Sequence, residues 1–163
     1  MNLEAFFKPQ TMKGNLIKLA ATGFGIGFVP FAPGTAGTLV GIPLFFIFSF
    51  LPWYGYLFFV ACFTGAAVYL AGAAEVLFAK KDPPCIVIDE IAGFLWTMLM
   101  VSPTLAHVLL GFILFRFFDI IKPFPVRSLQ DKLPGGYGVV GDDVMAGIYG
   151  NLVIQVVIHY FAI

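Results

Sequence analysis

At 163 residues the chain has the length of a single domain, 1–163, with 60% hydrophobic residues, only 11% charged ones and a mean hydropathy of +0.96. A water-soluble domain carries about a quarter charged residues, so this composition excludes an ordinary water-facing surface and makes lipid the solvent of much of the chain. Nine cations balance nine acids, and no basic run is dense enough to track a phosphate backbone, which argues against a nucleic-acid partner.

Residues 2–20 predict an amphipathic helix broken near Pro9, with Lys8, Lys13 and Lys18 suited to a lipid headgroup surface. No uninterrupted apolar core precedes a small-residue cleavage site, so a cleaved signal peptide is not expected. Gly23 to Thr38 follows. Its glycines do not make a dinucleotide fingerprint, because Phe28 stands where GxGxxG needs its last glycine and no strand–helix–strand pattern surrounds it. What remains is a Gly/Pro loop ending in Pro33-Gly34-Thr35 and opening into a helix near Thr38. Such a helix start binds phosphate through free N–H groups, with Thr35 and Thr38 as candidate hydroxyl donors. A plain turn with Thr38 as N-cap is the competing reading.

Residues 39–79 are apolar except for Ser49, Thr64 and Glu75, with a break at Leu51-Pro52-Trp53. They predict a helical hairpin whose second arm, about 54–79, is long enough to span a bilayer. Trp53, Tyr54 and Tyr56 suit an interfacial belt, and Glu75 is expected to pair or snorkel near Lys80 and Lys81. Cys62 and Cys85 form neither a zinc pattern nor a disulfide framework and are expected to be reduced. Asp89-Glu90 then stands at the entry of the next apolar helix. Acids are favoured there by the helix dipole, but two adjacent carboxylates beside lipid are costly without a partner, which favours metal ligation.

The apolar stretch Ile91–Phe118 is interrupted by Ser102-Pro103-Thr104. As one crossing it would put Asp89/Glu90 and Asp119 on opposite membrane faces. As a hairpin bent at Pro103 it returns them to one face, on arms of about 20 Å that only dip into a core of about 30 Å. The hairpin is preferred, because it also gathers the lysines and arginines on one face and leaves the turns at 51–55 and 101–106 without any.

Between Phe115 and Gly147 lie Arg116, Asp119, Lys122, Arg127, Asp131, Lys132, Asp142 and Asp143, almost half of the 18 formal charges. Val144–Ala162 is a further spanning candidate, with Asn151, Gln155 and His159 along one face for helix–helix hydrogen bonds. Neither cysteine has an arginine-closed phosphate loop, and the two histidines lack Arg-rich surroundings, so no covalent phosphatase pattern fits. Five carboxylates (Asp89, Glu90, Asp119, Asp142, Asp143) suit Mg²⁺ as hard oxygen ligands. With the ion they would be the catalytic set, supplying a deprotonated water for attack on phosphorus. Arg116, Lys122, Arg127 and the loop N–H groups would stabilise the phosphoryl oxygens.

Three blocks carry a resemblance: G-x-G-x-x-x-P-x-A-P-G-T-x-G-T at Gly23–Thr38, D-P-x-x-I-V-x-D-E-x-x-G at Asp82–Gly93, and R-F-F-D-x-x-K-P-x-P … G-G-x-G-V-x-x-D-D-x-x-A-G at Arg116–Gly147. In this order, over nearly the whole chain, they resemble the phosphatidylglycerophosphatase A family. The resemblance implies Mg²⁺-dependent hydrolysis of phosphatidylglycerophosphate to phosphatidylglycerol and phosphate at the bacterial inner membrane. It implies an all-α, multi-pass membrane bundle with short hairpins and an acidic site on the cytoplasmic face. Asp89, Glu90, Asp119, Asp142 and Asp143 fall on its acidic positions, Lys122 and Arg127 on its basic ones, and Thr35 on its loop threonine. Thr38 and Ile26 stand where serine is common. A CDP-alcohol headgroup transferase would need an Asp-Gly followed by Ala-Arg and two further Asp, of which Asp142–Gly147 holds only the opening. A non-enzymatic divalent-cation carrier would place its acids near mid-membrane. The oligomeric state is open.

Overall fold

The computed structural model describes residues 11–127 and 132–161. Among them the fold is all-α: α1 Met12–Ala21, a 3₁₀ turn Ile26–Phe28, α2 Pro33–Phe48, α3 Trp53–Phe78, α4 Ile88–Thr97, α5 Leu105–Ile121 and α6 Gly136–Phe161. The expected break near Pro9 and Lys8 lie outside the described residues. In α1 the outcome differs from expectation at Lys18, which is fully buried with its Nζ 5.0 Å from the centre of the Phe78 ring rather than at a headgroup surface.

α4 is the central helix. Eight of its ten residues are buried, which is what a helix apolar on every side requires. It packs on α6 above all, and also on α2 and α3. Phe94 and Leu95 of α4 and its C-cap Met98 meet Phe45 of α2, Tyr56 and Val60 of α3, Phe115 of α5 and Ile154 of α6. Polar groups inside this core are paired: Tyr56 Oη donates to Leu95 O at 2.9 Å and Trp96 Nε1 to Thr64 Oγ1 at 3.0 Å. Gly93 and Gly147 let α4 and α6 cross at backbone contact, since a Cβ on Gly147 would collide with Gly93 O.

The α4–α5 hairpin returns as expected, through residues 98–104. Thr104 caps α5 by accepting from His107 N at 3.2 Å. The last carbonyls of α4 face α6, where Asn151 Nδ2 donates to Thr97 O and Leu99 O at 2.9 and 2.8 Å, and Gln155 Nε2 to Leu99 O at 3.0 Å. These side chains satisfy helix-end acceptors that have no partner within α4. His159, one turn further, is exposed.

Two helices are long and apolar enough to cross a membrane, Trp53–Phe78 and Gly136–Phe161, each of 26 residues and thus about 39 Å long. Their outward faces carry exposed apolar side chains such as Phe58, Val76, Leu152 and Val156. Two element starts differ from expectation. α2 begins at Pro33, where the fixed proline φ suits a first helical position, and not near Thr38. α6 begins at Gly136, eight residues before Val144, so Asp142 and Asp143 lie in its second turn and not ahead of it.

Candidate functional site

Bringing α2, α4, α5 and α6 together leaves a cavity of about 280 Å³ at one end of the bundle. Each side of it comes from a different segment. Ala32, Pro33 and Gly34 open α2; Asp82, Pro84 and Ile86 come from the α3–α4 connection; Asp89 and Glu90 from α4; Arg116, Asp119 and Lys122 from the end of α5; Val139, Asp142 and Asp143 from α6. All five sequence-predicted acids therefore meet here, although they are spread over more than fifty positions. The hairpin at 98–104 makes this possible by turning α5 back along α4.

The chain approaches closely at Gly34. A Cβ there would collide with Glu90 Oε1 and sit 3.1 Å from Arg116 Nη1, so a larger residue at the start of α2 would have to displace the ends of these two site side chains. Three wall residues, Ala32, Asp82 and Lys122, hold left-handed backbone angles, with φ of 48°, 46° and 47°. Non-glycine residues adopt this region seldom, and it recurs at functional sites where the surrounding structure enforces it.

The acids divide into groups. Asp89, Glu90 and Asp143 each turn an oxygen toward one point, the three atoms lying within 4.8 Å of one another. Lys122 Nζ donates to Asp142 Oδ2 at 2.5 Å. Arg116 Nη1 lies 2.6 Å from Asp119 Oδ2, an ion-pair contact held by charge rather than by hydrogen-bond direction. Asp89, Asp119, Asp142 and Asp143 are all buried, yet Asp89 Oδ1, Glu90 Oε2 and Asp142 Oδ1 have no hydrogen-bond partner. Ionised oxygens in that condition cost several kcal/mol apiece, an order of magnitude, unless a cation meets them.

Electrostatics point the same way. Burial, and then the charge of Glu90, hold the Asp89 carboxyl well above the usual carboxylate range; burial raises Glu90 as well. Burial would lower Lys122, but its hydrogen bond to Asp142 and that carboxylate's charge outweigh it and keep the amine a cation. A convergent set of hard oxygens with unmet acceptors fits a divalent ion of the Mg²⁺ type, and Asp89, Glu90 and Asp143 are the residues able to hold one.

Other predicted residues fall elsewhere. Thr38 is fully buried and its hydroxyl donates to Gly34 O at 2.9 Å, so it closes a helical turn and does not face the cavity. Thr35 is half-buried and Arg127 exposed, and neither lines the cavity. Asp82 and Gly34 are wall residues that spacing did not single out. Both stand in the sequence blocks, and Asp82 followed by two prolines is the signal that marks a fixed acid.

The family model described as Phosphatidylglycerophosphatase A matches residues 19–158. A protein of Escherichia coli (strain K12) named Phosphatidylglycerophosphatase A is 35% identical over 156 residues, covering 94% of this chain and 90% of the relative. One of the same name from Haemophilus influenzae is 40% identical over 143 residues, covering 86% and 87%. A protein of Bacteroides thetaiotaomicron with the provisional name phosphatidylinositol-3-phosphatase is 41% identical over 148 residues, covering 85% and 91%. No solved structure is a significant match.

Proposed function

The chain belongs to the phosphatidylglycerophosphatase A family, and on that premise we propose that it hydrolyses phosphatidylglycerophosphate to phosphatidylglycerol and phosphate, using Mg²⁺. The observation that carries the proposal is the meeting of Asp89, Glu90, Asp119, Asp142 and Asp143 with Lys122 and Arg116 in one cavity. The protein works as a multi-pass component of the bacterial inner membrane, with the cavity on the cytoplasmic face and lipid around α3 and α6. A cation carrier would need acids along the bundle, whereas these gather at one end.

Asp89, Glu90 and Asp143 hold the Mg²⁺, which supplies charge neutralisation and an acidified water when bound. Lys122 and Arg116 bind the oxygens of the terminal phosphoryl group. Asp142 and Asp119 aim those cations by pairing with them, so their role is orientation more than ligation. The phosphoryl group sits against the start of α2 at Gly34, whose first-turn N–H groups have no acceptor within the helix. Asp142 Oδ1, unpartnered beside Lys122, takes the proton of the attacking water as its oxygen bonds to phosphorus, and returns it to the glycerol oxygen as the bond from phosphorus to that oxygen breaks, releasing the alcohol.

Release of inorganic phosphate from short-chain phosphatidylglycerophosphate tests this, measured on detergent-solubilised protein with Mg²⁺ or with chelator. Phosphate appears only with the ion, and Asp89→Asn, Asp119→Asn and Asp143→Asn each lower turnover by about 100-fold or more while helicity is kept. Wild-type turnover in all three variants overturns the assignment. A parallel arm with phosphatidylinositol 3-phosphate, the substrate that the Bacteroides relative's name suggests, is expected to release much less.

A further inference from the structure

Asp82 belongs neither to the Asp89–Glu90–Asp143 group nor to the two acid–cation pairs described above, yet it lines the same cavity. Its backbone is fixed by several constraints. The φ of 46° is rare for a non-glycine residue, and Pro83 restricts it further. Glu75, in the last turn of α3, accepts the Asp82 N–H through Oε1 at 2.7 Å. The Glu75 main-chain oxygen accepts from Lys80 N at 3.2 Å, and Ile86 N donates to Pro83 O at 2.9 Å, so the whole turn is tied at both ends.

We propose that Asp82 is a further carboxylate of the divalent-cation site, acting on the ion's water shell from beyond Asp89, Glu90 and Asp143, with Glu75 as its positioning residue. The inference rests on the cation reading given above. A second observation marks the cavity as built for a cation: Asp89 and Asp142, 6% and 2% exposed, line it and each keeps a buried carboxylate oxygen without a hydrogen-bond partner. Mg²⁺ takes few carboxylates directly and retains several waters. Carboxylates that accept hydrogen bonds from those waters govern affinity, and losing one costs about 10–100-fold. Glu75 acts through the Asp82 main chain alone, which explains why an acid at the end of a spanning helix carries its acceptor toward a loop instead of toward Lys80 or Lys81.

Mn²⁺ serves as the probe. Free ion is followed by electron paramagnetic resonance as it is titrated into the full-length protein in detergent, with Mg²⁺ as competitor. Asp82→Asn keeps the side-chain shape and tolerates the left-handed backbone, so it removes charge alone; it is expected to weaken binding by about 10–100-fold with an unchanged thermal midpoint in chelator. Glu75→Ala is expected to weaken binding similarly, and Glu75→Gln, which keeps an acceptor oxygen, to restore it. Asp82→Asn binding as the wild type does would overturn the role of Asp82, and Glu75→Ala doing so would overturn that of Glu75. If the wild type binds Mn²⁺ no better than Asp89→Asn does, the cation reading itself falls and takes this inference with it.

Discussion

Lys122 shows how one residue joins charge balance to substrate use. It ends α5 in a left-handed cap and donates to Asp142, which is 2% exposed. Lys122→Met leaves that carboxylate buried without a counter-charge, at a cost of about 3–5 kcal/mol, and removes a phosphoryl contact. The double variant Lys122→Met/Asp142→Asn is expected to regain thermal stability but not activity, whereas Arg127→Ala, on an exposed side chain outside the cavity, leaves the kinetics unchanged. Thermal unfolding and steady-state kinetics on the three proteins check this. Asp89 sets a pH dependence of its own. Its carboxyl is raised by burial and by Glu90, so its contribution to stability is present below the ordinary value of about 4 and is lost as pH rises through the raised one. In chelator the thermal midpoint should fall as pH is raised, and Mg²⁺ should reverse the fall by binding the ionised form. A midpoint that ignores pH and ion alike would contradict it.

The crossing of α4 and α6 is what registers the acids. Asp143 and Asp89 approach because Gly93 and Gly147 let the two backbones touch one turn away. Gly147→Ala puts a methyl into Gly93 O and 3.1 Å from Trp96 Cβ, which is expected to cost about 1–3 kcal/mol and to lower turnover by moving Asp143 away from Asp89. Thermal unfolding and phosphate release together measure it; a variant with lower stability and full turnover would show the register to be tolerant. Most of these helices were legible as apolar runs bounded by proline, as at Pro52 and Pro103. The start of α6 was not, because Gly135, Gly136, Gly138 and Gly141 look like a loop. Gly135 is a left-handed turn residue, and the other three are helical because a bare backbone at Gly136 can lie on α3, where a Cβ would strike Val68 O. Likewise Lys18 looked like a headgroup contact, but it is fully buried and its ammonium lies over the ring of Phe78 at the far end of α3. Sequence blocks brought the acids together as a set. They could not say that Asp142 pairs with Lys122 while Asp143 faces Glu90, since adjacent helical residues point about 100° apart and their partners belong to other helices.

At the scale of the molecule, long and short helices divide the work. α3 and α6 are long enough to cross a bilayer; α4, with ten residues, reaches only about 15 Å, half of a hydrocarbon core of about 30 Å. The turn at 98–104 is therefore expected to stop short of the far surface. In sealed vesicles Lys81→Cys should react with a membrane-impermeant maleimide from the face that holds the cavity, while Ser102→Cys should resist it from both. Native Cys62, on a lipid-facing part of α3, and the buried Cys85 give little background. Equal labelling of Ser102→Cys from the far side would make α4 and α5 true crossings. The hydrogen bonds from Asn151 and Gln155 to Thr97, Leu99 and Met100 are what allow such a turn away from water. They come from α6, which leaves the ribosome after α1 to α5. Until α6 arrives, the nascent hairpin has bare carbonyls at its tip and, at its mouth, Lys122 without Asp142 and the Asp89–Glu90 pair without Asp143, so insertion of this one segment completes both ends at once, and a polypeptide stalled before Gly136 would be a substrate for quality-control proteases.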